Sequence, residues 1–249
     1  MTDKLRVAVI GANGRMGKAA TAAINAATDL ELVATLGRSD SLESLLAAGT
    51  QIVVELTVPD SSEANVRFAV EHGLHAIVGT TGWDAARQAA LRDLLNLHQD
   101  VGILIAPNFA LGSVLASRFA AQAAKYFDSV EIIELHHPHK VDAPSGTAIR
   151  TAQLIAEARS GLPAAPDATE TALDGARGAV VQGVPVHSVR LAGLTAHQEV
   201  LLGSAGEQLT FRHDSFGKDS FMPGILLGIR QVAQHPGLSY GLDSYLELG

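Results

Sequence analysis

The sequence contains no cysteine. Disulfides, thiolate catalysis and every zinc or iron–sulfur site built on cysteine are therefore excluded. No run reaches the roughly eighteen consecutive apolar residues of a membrane span, so no membrane partner is expected. Basic residues are also short: 18 Lys and Arg stand against 26 Asp and Glu, and they form no run. With a net charge of −8 the chain lacks the basic face that neutralising phosphate requires, which argues against nucleic acid as the main partner. The opening stretch MTDKLRVAVIGANG lacks the shape of a secretory signal, because its apolar run is short and ends in a glycine loop. A cytoplasmic protein is the expectation. At 249 residues, 47% of them hydrophobic and 18% charged, the chain has the composition of a globular protein with one large or two modest domains.

The first hundred or so residues alternate apolar runs with helical patterns. Strands are predicted at Leu5–Ile10, Leu30–Leu36, Gln51–Leu56, His75–Val78 and Val101–Ala106. Their near-continuous, β-branched character suits a parallel sheet covered on both faces. Helices are predicted at Arg15–Ala27, at Ser61–His72 with Asp60 and Glu63 as a capping box, and at Asp84–Leu97 with Leu91, Leu94 and Leu95 on one face. This repetition predicts an α/β fold with an open, doubly wound sheet. After Pro107 the pattern changes. A helix over Leu111–Phe127, a strand over Ser129–His137 and a helix over Ser145–Arg159 precede the Gly/Pro-rich surface loop at residues 161–178. Shorter strands follow at Val184–Leu191, Glu199–Leu202 and Gln208–His213, the last with Leu209 and Phe211 on one face and Thr210 and Arg212 on the other. Their close spacing predicts antiparallel pairing. An apolar helix around Phe221–Gln234 closes the pattern.

GANGRMG, residues 11–17, ends the first strand and opens the first helix. In that setting glycines permit a tight turn, and the helix N-terminus offers amides to a phosphate. Asn13 takes the place of the second glycine of G-x-G-x-x-G, and asparagine tolerates left-handed backbone angles. The expectation is a dinucleotide pyrophosphate on Gly11, Ala12, Asn13, Gly14, Arg15 and Met16; the alternative is a βα turn without a ligand. Two more loops lie at strand C-terminal ends, where such sheets bind ligands. Gly79, Thr80 and Thr81 offer hydroxyls and close backbone approach, and Ala106, Pro107, Asn108 and Phe109 offer an amide side chain. Thr57 is a weaker candidate of the same kind, and each loop is also compatible with ordinary turn chemistry.

ELHHPHKVDAPSGTA, residues 134–148, crowds three histidines and a lysine into five positions. A solvated strand end is one reading. A metal site is another, disfavoured because Asp142 is the nearby carboxylate and Lys140 repels a cation. The favoured reading is a cradle that protonates and grips an anion. Histidine titrates nearest neutral pH, lysine supplies fixed charge, and the amides of Gly146 and Thr147 at a helix start suit a carboxylate. Ser145 and Thr147 add hydroxyls.

This long stretch closely resembles the signature of the dihydrodipicolinate reductase family. GANGRMG, GTTGW, IAPNFALG and VPVHSVRLAGLTAHQEVLLG extend the resemblance, in order, over essentially the whole chain. The resemblance implies His136 as acid/base residue, Lys140 as catalytic partner and His137, Gly146 and Thr147 as contacts of the substrate carboxylate, and the Ser145 hydroxyl is expected to join them in binding substrate. It implies nicotinamide-side contacts from Gly79 to Thr81 and from Ala106 to Phe109. The implied reaction is reduction of a cyclic imine dicarboxylate to tetrahydrodipicolinate, on the way to diaminopimelate and lysine. The implied architecture is a Rossmann-like sheet domain, 1–106 with 217–249, carrying an inserted α+β domain, 107–216, for substrate binding and homotetramer assembly. Where the family shows Asp before an aromatic, this chain reads Glu55-Leu56-Thr57.

The second predicted strand ends in Gly37-Arg38-Ser39-Asp40. A carboxylate at this place favours NAD, whereas an arginine accommodates the 2′-phosphate of NADP. With Gly37 in the acidic residue's place and Arg38 next to it, NADPH is the expected preference and NADH the second choice. Two rivals stand beside this reading: another Rossmann-type oxidoreductase of an amino dicarboxylate, and a non-enzymatic dinucleotide sensor. A sensor needs no acid/base cluster and usually carries a basic DNA-binding element, which this sequence does not show.

Overall fold

Two sheets organise the chain, one in each of two compact units. The structure, a computed structural model, describes residues 3–246. The first unit comprises residues up to Leu111 together with those from Lys218 onward. Its sheet contains β1 (Leu5–Ile10), β2 (Leu30–Leu36), β3 (Ile52–Glu55), β4 (His75–Val78), β5 (Gly102–Ile105) and β11 (Gly237–Tyr240), in the order β11-β5-β4-β3-β1-β2. Every pair is parallel.

Alternation along these strands supplies two cores. Ala8, Ile10, Val53, Ala76, Val78, Ile103 and Ile105 join Val66 and Val70 of α3 (Pro59–Glu71) and Leu91 and Leu95 of α4 (Ala85–Leu95), with Leu94 packed alongside. On the other face, Gly228 of α7 (Met222–Gln231) approaches Leu104 and Ile77 so closely that an added Cβ would lie 3.0 and 3.2 Å from their methyls. A sheet covered on both faces requires the near-continuous apolar strands of this sequence. The strand order reverses between β1 and β3, and ligands of open α/β sheets bind beyond the carboxyl ends of the strands at such a point.

Some local expectations are corrected. α3 begins at Pro59 after Val58 and has no side-chain cap. Proline fits the first helical position because its missing N–H would be unsatisfied there anyway, so Asp60 falls inside the first turn. Glu63 closes no capping box and pairs instead with Arg87 at 3.4 Å. Asp84 does cap α4, accepting from the Arg87 N–H at 2.9 Å. The short α2 (Glu43–Ala47) and β11 carry too little periodicity to be read from sequence.

The second unit spans Gly112 to Gly217. It holds β6 (Ser129–His136), β7 (Ala179–Val181), β8 (Val184–Arg190), β9 (Ala196–Ser204) and β10 (Glu207–Ser215), in the order β10-β9-β6-β8-β7. α5 (Leu111–Ala124) and α6 (Gly146–Ala158) cover one face through Ala120, Ala124, Ala152 and Ile155, packed on Val130, Ile132, Val186, Val200 and Leu202. β9 and β10 pair antiparallel as their spacing predicts, with Phe211 turned to the core. The prediction fails for β8. It does not pair with β9; β6 lies between them, parallel to β8 and antiparallel to β9. The reason is the crossover through α6, which returns the chain alongside β6 in the same direction.

In the first unit α7 docks against the backbone of the segment after β5: a Cβ at Gly224 would lie 2.0 Å from the Phe109 carbonyl oxygen. A carbonyl in the main chain cannot rotate away as a side chain would. Gly224→Ala should therefore cost about 1–3 kcal/mol by overpacking and lower the Tm in thermal unfolding. An unchanged Tm would contradict this docking.

Candidate active site

The glycine turn sits at the switch point of the first unit's sheet. Gly11 adopts φ +83°, and a Cβ there would lie 2.4 Å from the Leu56 carbonyl oxygen at the end of β3. A Cβ at Gly17 would lie 2.2 Å from the Gly11 carbonyl oxygen, so glycine lets α1 (Arg15–Ala26) start against the turn. The Gly11 and Ala12 amides donate to the Leu36 carbonyl at 2.8 and 3.2 Å, and the Gly14 amide donates to Gly11 at 3.0 Å. These three bonds shape the turn, and Asn13, Arg15 and Met16 stand beside them at the start of α1. The first turn of α1 has no acidic residue and no side-chain cap. Lys218, which carried no sequence signal, lies within electrostatic reach of Arg15; burial first, then the Arg15 charge, holds its ammonium below the ordinary lysine range. Two cations near one helix start suit a phosphate group.

The neighbouring loops are bound together by Glu55, a fully buried carboxylate at the end of β3. It accepts from the Thr57 amide at 3.2 Å and its hydroxyl, from Ser62 at 2.7 Å and from Asn65 at 3.3 Å. Trp83 donates to the same Ser62 at 3.2 Å, joining the loop after β4 to the first turn of α3. Thr80 is buried and its hydroxyl has no protein partner, while Thr81 is exposed. An orphaned buried hydroxyl beside a glycine cradle fits a nucleotide site, because buried polar atoms rarely go unpaired. Ala106 and Phe109 are buried, Pro107 is exposed, and Asn108 accepts from the Ala110 amide at 2.8 Å.

At the tip of β2 the Gly37 amide donates to Asp40 Oδ2 at 2.7 Å, and Arg38 is exposed. A Cβ on Gly37 would lie 2.7 Å from Asn13 Nδ2 and 3.5 Å from Asp40 Oδ2. The two departures from the usual dinucleotide pattern, Asn13 and Gly37, thus occupy one another's space.

In the second unit, His136 ends β6. Its Nδ1 contacts Oε2 of Glu134, two residues back on the same face and fully buried. Arg190, opposite His136 in the β6–β8 register, grips Glu134 with both terminal nitrogens at 3.1 and 2.9 Å and donates to the Asp142 carbonyl at 2.6 Å. Burial by itself raises the Glu134 carboxyl, but hydrogen bonds from His136, Arg190 and Ser188 outweigh it and hold the group at about 2. Lys140 is not a free charge: its Nζ donates to Asp142 Oδ1 at 2.7 Å. Burial opposes and the Lys140 bond favours the Asp142 carboxylate, with a net shift below the ordinary range. His137 and His139 are exposed, their rings 6.2 Å apart. Ser145 is buried and caps α6, accepting from the Ala148 amide at 3.2 Å; Gly146 is exposed and Thr147 half-buried in the first turn. Sequence reading missed Glu134 and Arg190. The i, i+2 spacing of Glu134 and His136 on one strand was a usable signal, but Arg190 is 54 residues from His136 in sequence and had none.

An imidazole and a lysine ahead of a helix start in the second unit, and a glycine turn at a doubly wound switch point in the first, are features of a Rossmann-type oxidoreductase. The two halves match two successive family models, "Dihydrodipicolinate reductase, N-terminus" over residues 5–109 and "Dihydrodipicolinate reductase, C-terminus" over residues 112–246. The chain belongs to the dihydrodipicolinate reductase family. It is 62% identical over 248 residues to the 4-hydroxy-tetrahydrodipicolinate reductase of Streptomyces griseus subsp. griseus, covering 99% of each chain. With that of Nocardia farcinica it shares 60% over 246 residues, 98% of this chain and 99% of the relative. The dipicolinate-bound dihydrodipicolinate reductase from Paenisporosarcina sp. TG-14 is similar in structure, with TM-score 0.88 at 38% identity, covering 98% of this chain and all of that one. GenD2 from gentamicin A biosynthesis, at 14% identity and TM-score 0.67, shares the fold.

The depressed Glu134 carboxyl links this site to acid stability. A carboxylate held at about 2 against an ordinary 4.5 contributes stability that is fully present above pH 4.5 and is lost as pH falls through the folded value. Denaturant unfolding at about pH 5 and about pH 3 should show that loss in the parent protein and a smaller loss in Glu134→Gln. Equal acid sensitivity in both would exclude Glu134 as its source.

Proposed function

We propose that the protein reduces 4-hydroxy-tetrahydrodipicolinate to tetrahydrodipicolinate with NADPH or NADH, a step that leads to diaminopimelate and lysine. The observation that carries this reading is the full-length identity with reductases of that name, which extends over both units. A reduced nicotinamide supplies the hydride when bound, and the chain's residues do the rest. Asn13, Arg15 and Met16 hold the pyrophosphate on a turn shaped by Gly11, Ala12 and Gly14. The hydroxyls of Thr80 and Thr81 and the Ala106–Phe109 segment border the nicotinamide side, and the buried Thr80 hydroxyl gains a partner there. Glu55 holds Thr57 and its loop in place.

His136 donates the proton that accompanies the hydride, as general acid. Lys140 pairs with a substrate carboxylate, which takes over the place Asp142 holds at 2.7 Å. His137, Ser145, Gly146 and Thr147 complete the anion cradle, Gly146 and Thr147 by their amides and Ser145 by capping the helix that presents them. A homotetramer is supported by the sheet face opposite α5 and α6, where partly exposed Ile133, Leu135 and Leu201 alternate with charged side chains. NADPH is preferred because Arg38 stands at the tip of β2 with no side chain at Gly37 to oppose a 2′-phosphate. Asp40, tied to the Gly37 amide, keeps a carboxylate near the ribose and NADH usable.

The catalytic roles are checked with dihydrodipicolinate generated in situ and nucleotide absorbance. His136→Gln should lower kcat by roughly 10²–10⁴, the usual contribution of general acid catalysis. Lys140→Ala should lower kcat/KM comparably, since charge and positioning are lost together. Both variants should keep the parent Tm and bind nucleotide. Near-normal turnover by His136→Gln would sink the assignment.

For the nucleotide, a charge-assisted contact of about 1.5–3 kcal/mol predicts a ten- to hundredfold preference for NADPH in kcat/KM. Arg38→Ala should reduce NADPH use selectively. Equal or better use of NADH by the unmodified protein would overturn the preference.

A further inference from the structure

Glu134 lies deeper than the groups assigned to substrate, is fully buried, and has all its hydrogen-bonding capacity committed. An ionised carboxylate offers about four acceptor sites. Here they meet His136 Nδ1, the two terminal nitrogens of Arg190 and Ser188. We infer that Glu134, locked by Arg190, is a positioning residue: it fixes His136 with its proton on Nδ1 and leaves Nε2 as the ring nitrogen that handles the substrate proton. This rests on the reading of His136 as general acid.

The physical argument has two parts. A carboxylate accepts and cannot donate, so the nitrogen facing it must carry hydrogen. The neutral ring formed when His136 gives up its proton is then the Nδ1–H tautomer, already hydrogen-bonded to Glu134. Arg190 makes the arrangement rigid. Its bidentate grip sets the plane of the Glu134 carboxylate, and its bond to the Asp142 carbonyl at 2.6 Å ties the same guanidinium to the segment carrying Lys140. One arginine thus holds both the histidine's partner and the loop of the catalytic lysine in register.

On the following loop stand Lys140 and Asp142, paired with one another; on β9, the residues opposite Glu134 and His136 are the uncharged Gln198 and Ala196. Glu134→Gln keeps the shape of the side chain but changes its hydrogen-bonding character. Arg190 claims the amide oxygen, the amide NH₂ turns to His136, and Nδ1 becomes an acceptor.

The test is imidazole ¹⁵N NMR on ¹⁵N-histidine protein above the histidine titration range, with His136 assigned by loss of its signal in His136→Gln. The unmodified protein should show His136 as the Nδ1–H tautomer, and Glu134→Gln should show the Nε2–H tautomer. In Glu134→Gln, kcat should fall by roughly 10²-fold, within the range for a disabled general acid, while KM and nucleotide Kd change less than about twofold. An Nε2–H tautomer in the unmodified protein overturns the inference, even where Glu134→Gln fails to fold. So does an unaltered kcat, or a parallel loss of kcat and nucleotide affinity. If the protein did not turn over the dicarboxylate at all, the functional reading would fall, while the tautomer would still decide the role of Glu134.

Discussion

A carboxylate withdrawn from water must be met by charge and hydrogen bonds, and that demand organises the second unit. Glu134 stands in the central strand of the five-stranded sheet, where one neighbour is parallel and the other antiparallel. Stranding an ionised group there would be far more costly than any single apolar contact could offset. Arg190 from β8, Ser188 from β8 and His136 from β6 itself remove the penalty together. Because these partners must converge, the end of β6, the end of β8 and the loop through Asp142 are brought to one corner of the sheet. The histidine is aimed as a consequence of how the carboxylate is satisfied.

The first unit obeys a constraint of space instead of charge. The turn after β1 runs against the end of β3 with no room for a side chain at Gly11, and α1 starts against that turn with no room at Gly17. Around it, a second buried carboxylate, Glu55, ties the loops after β3 and β4 through Thr57, Ser62 and Trp83. Asn13 and Gly37 show the same economy. The carboxamide of one fills the volume that a side chain on the other would need, so the two departures from the dinucleotide pattern are a single packing solution.

Where local reading went astray, a longer-range requirement prevailed. Asp60 and Glu63 have the spacing of a capping box, yet Pro59 starts the helix two residues before the predicted Ser61 and Glu63 finds Arg87. Val184–Arg190 has the spacing of an antiparallel neighbour of the next strand, yet the crossover through α6 places it beside β6. β11, only Gly237–Tyr240, has no strand pattern of its own and exists because the free edge of β5 accepts it.

What the sequence determined by itself was whatever depends on neighbours a few residues apart. Continuous β-branched runs encode covered parallel strands, GANGRMG encodes a turn opening a helix, Ser145 and Asp84 encode caps, and Leu209 with Phe211 encodes one face of a strand. The run from Glu134 to Ala148 was legible for the same reason: its histidines, lysine and helix start lie close in sequence. What only the tertiary structure decided was which distant groups meet. The partner of β8, the tie between Asp40 and Gly37, the Lys218–Arg15 proximity and above all the grip of Arg190 on Glu134 follow from strand pairing and burial across many residues. No local pattern records these, because the free energy that selects them comes from desolvation and packing of the assembled unit, not from the conformational preference of any short segment.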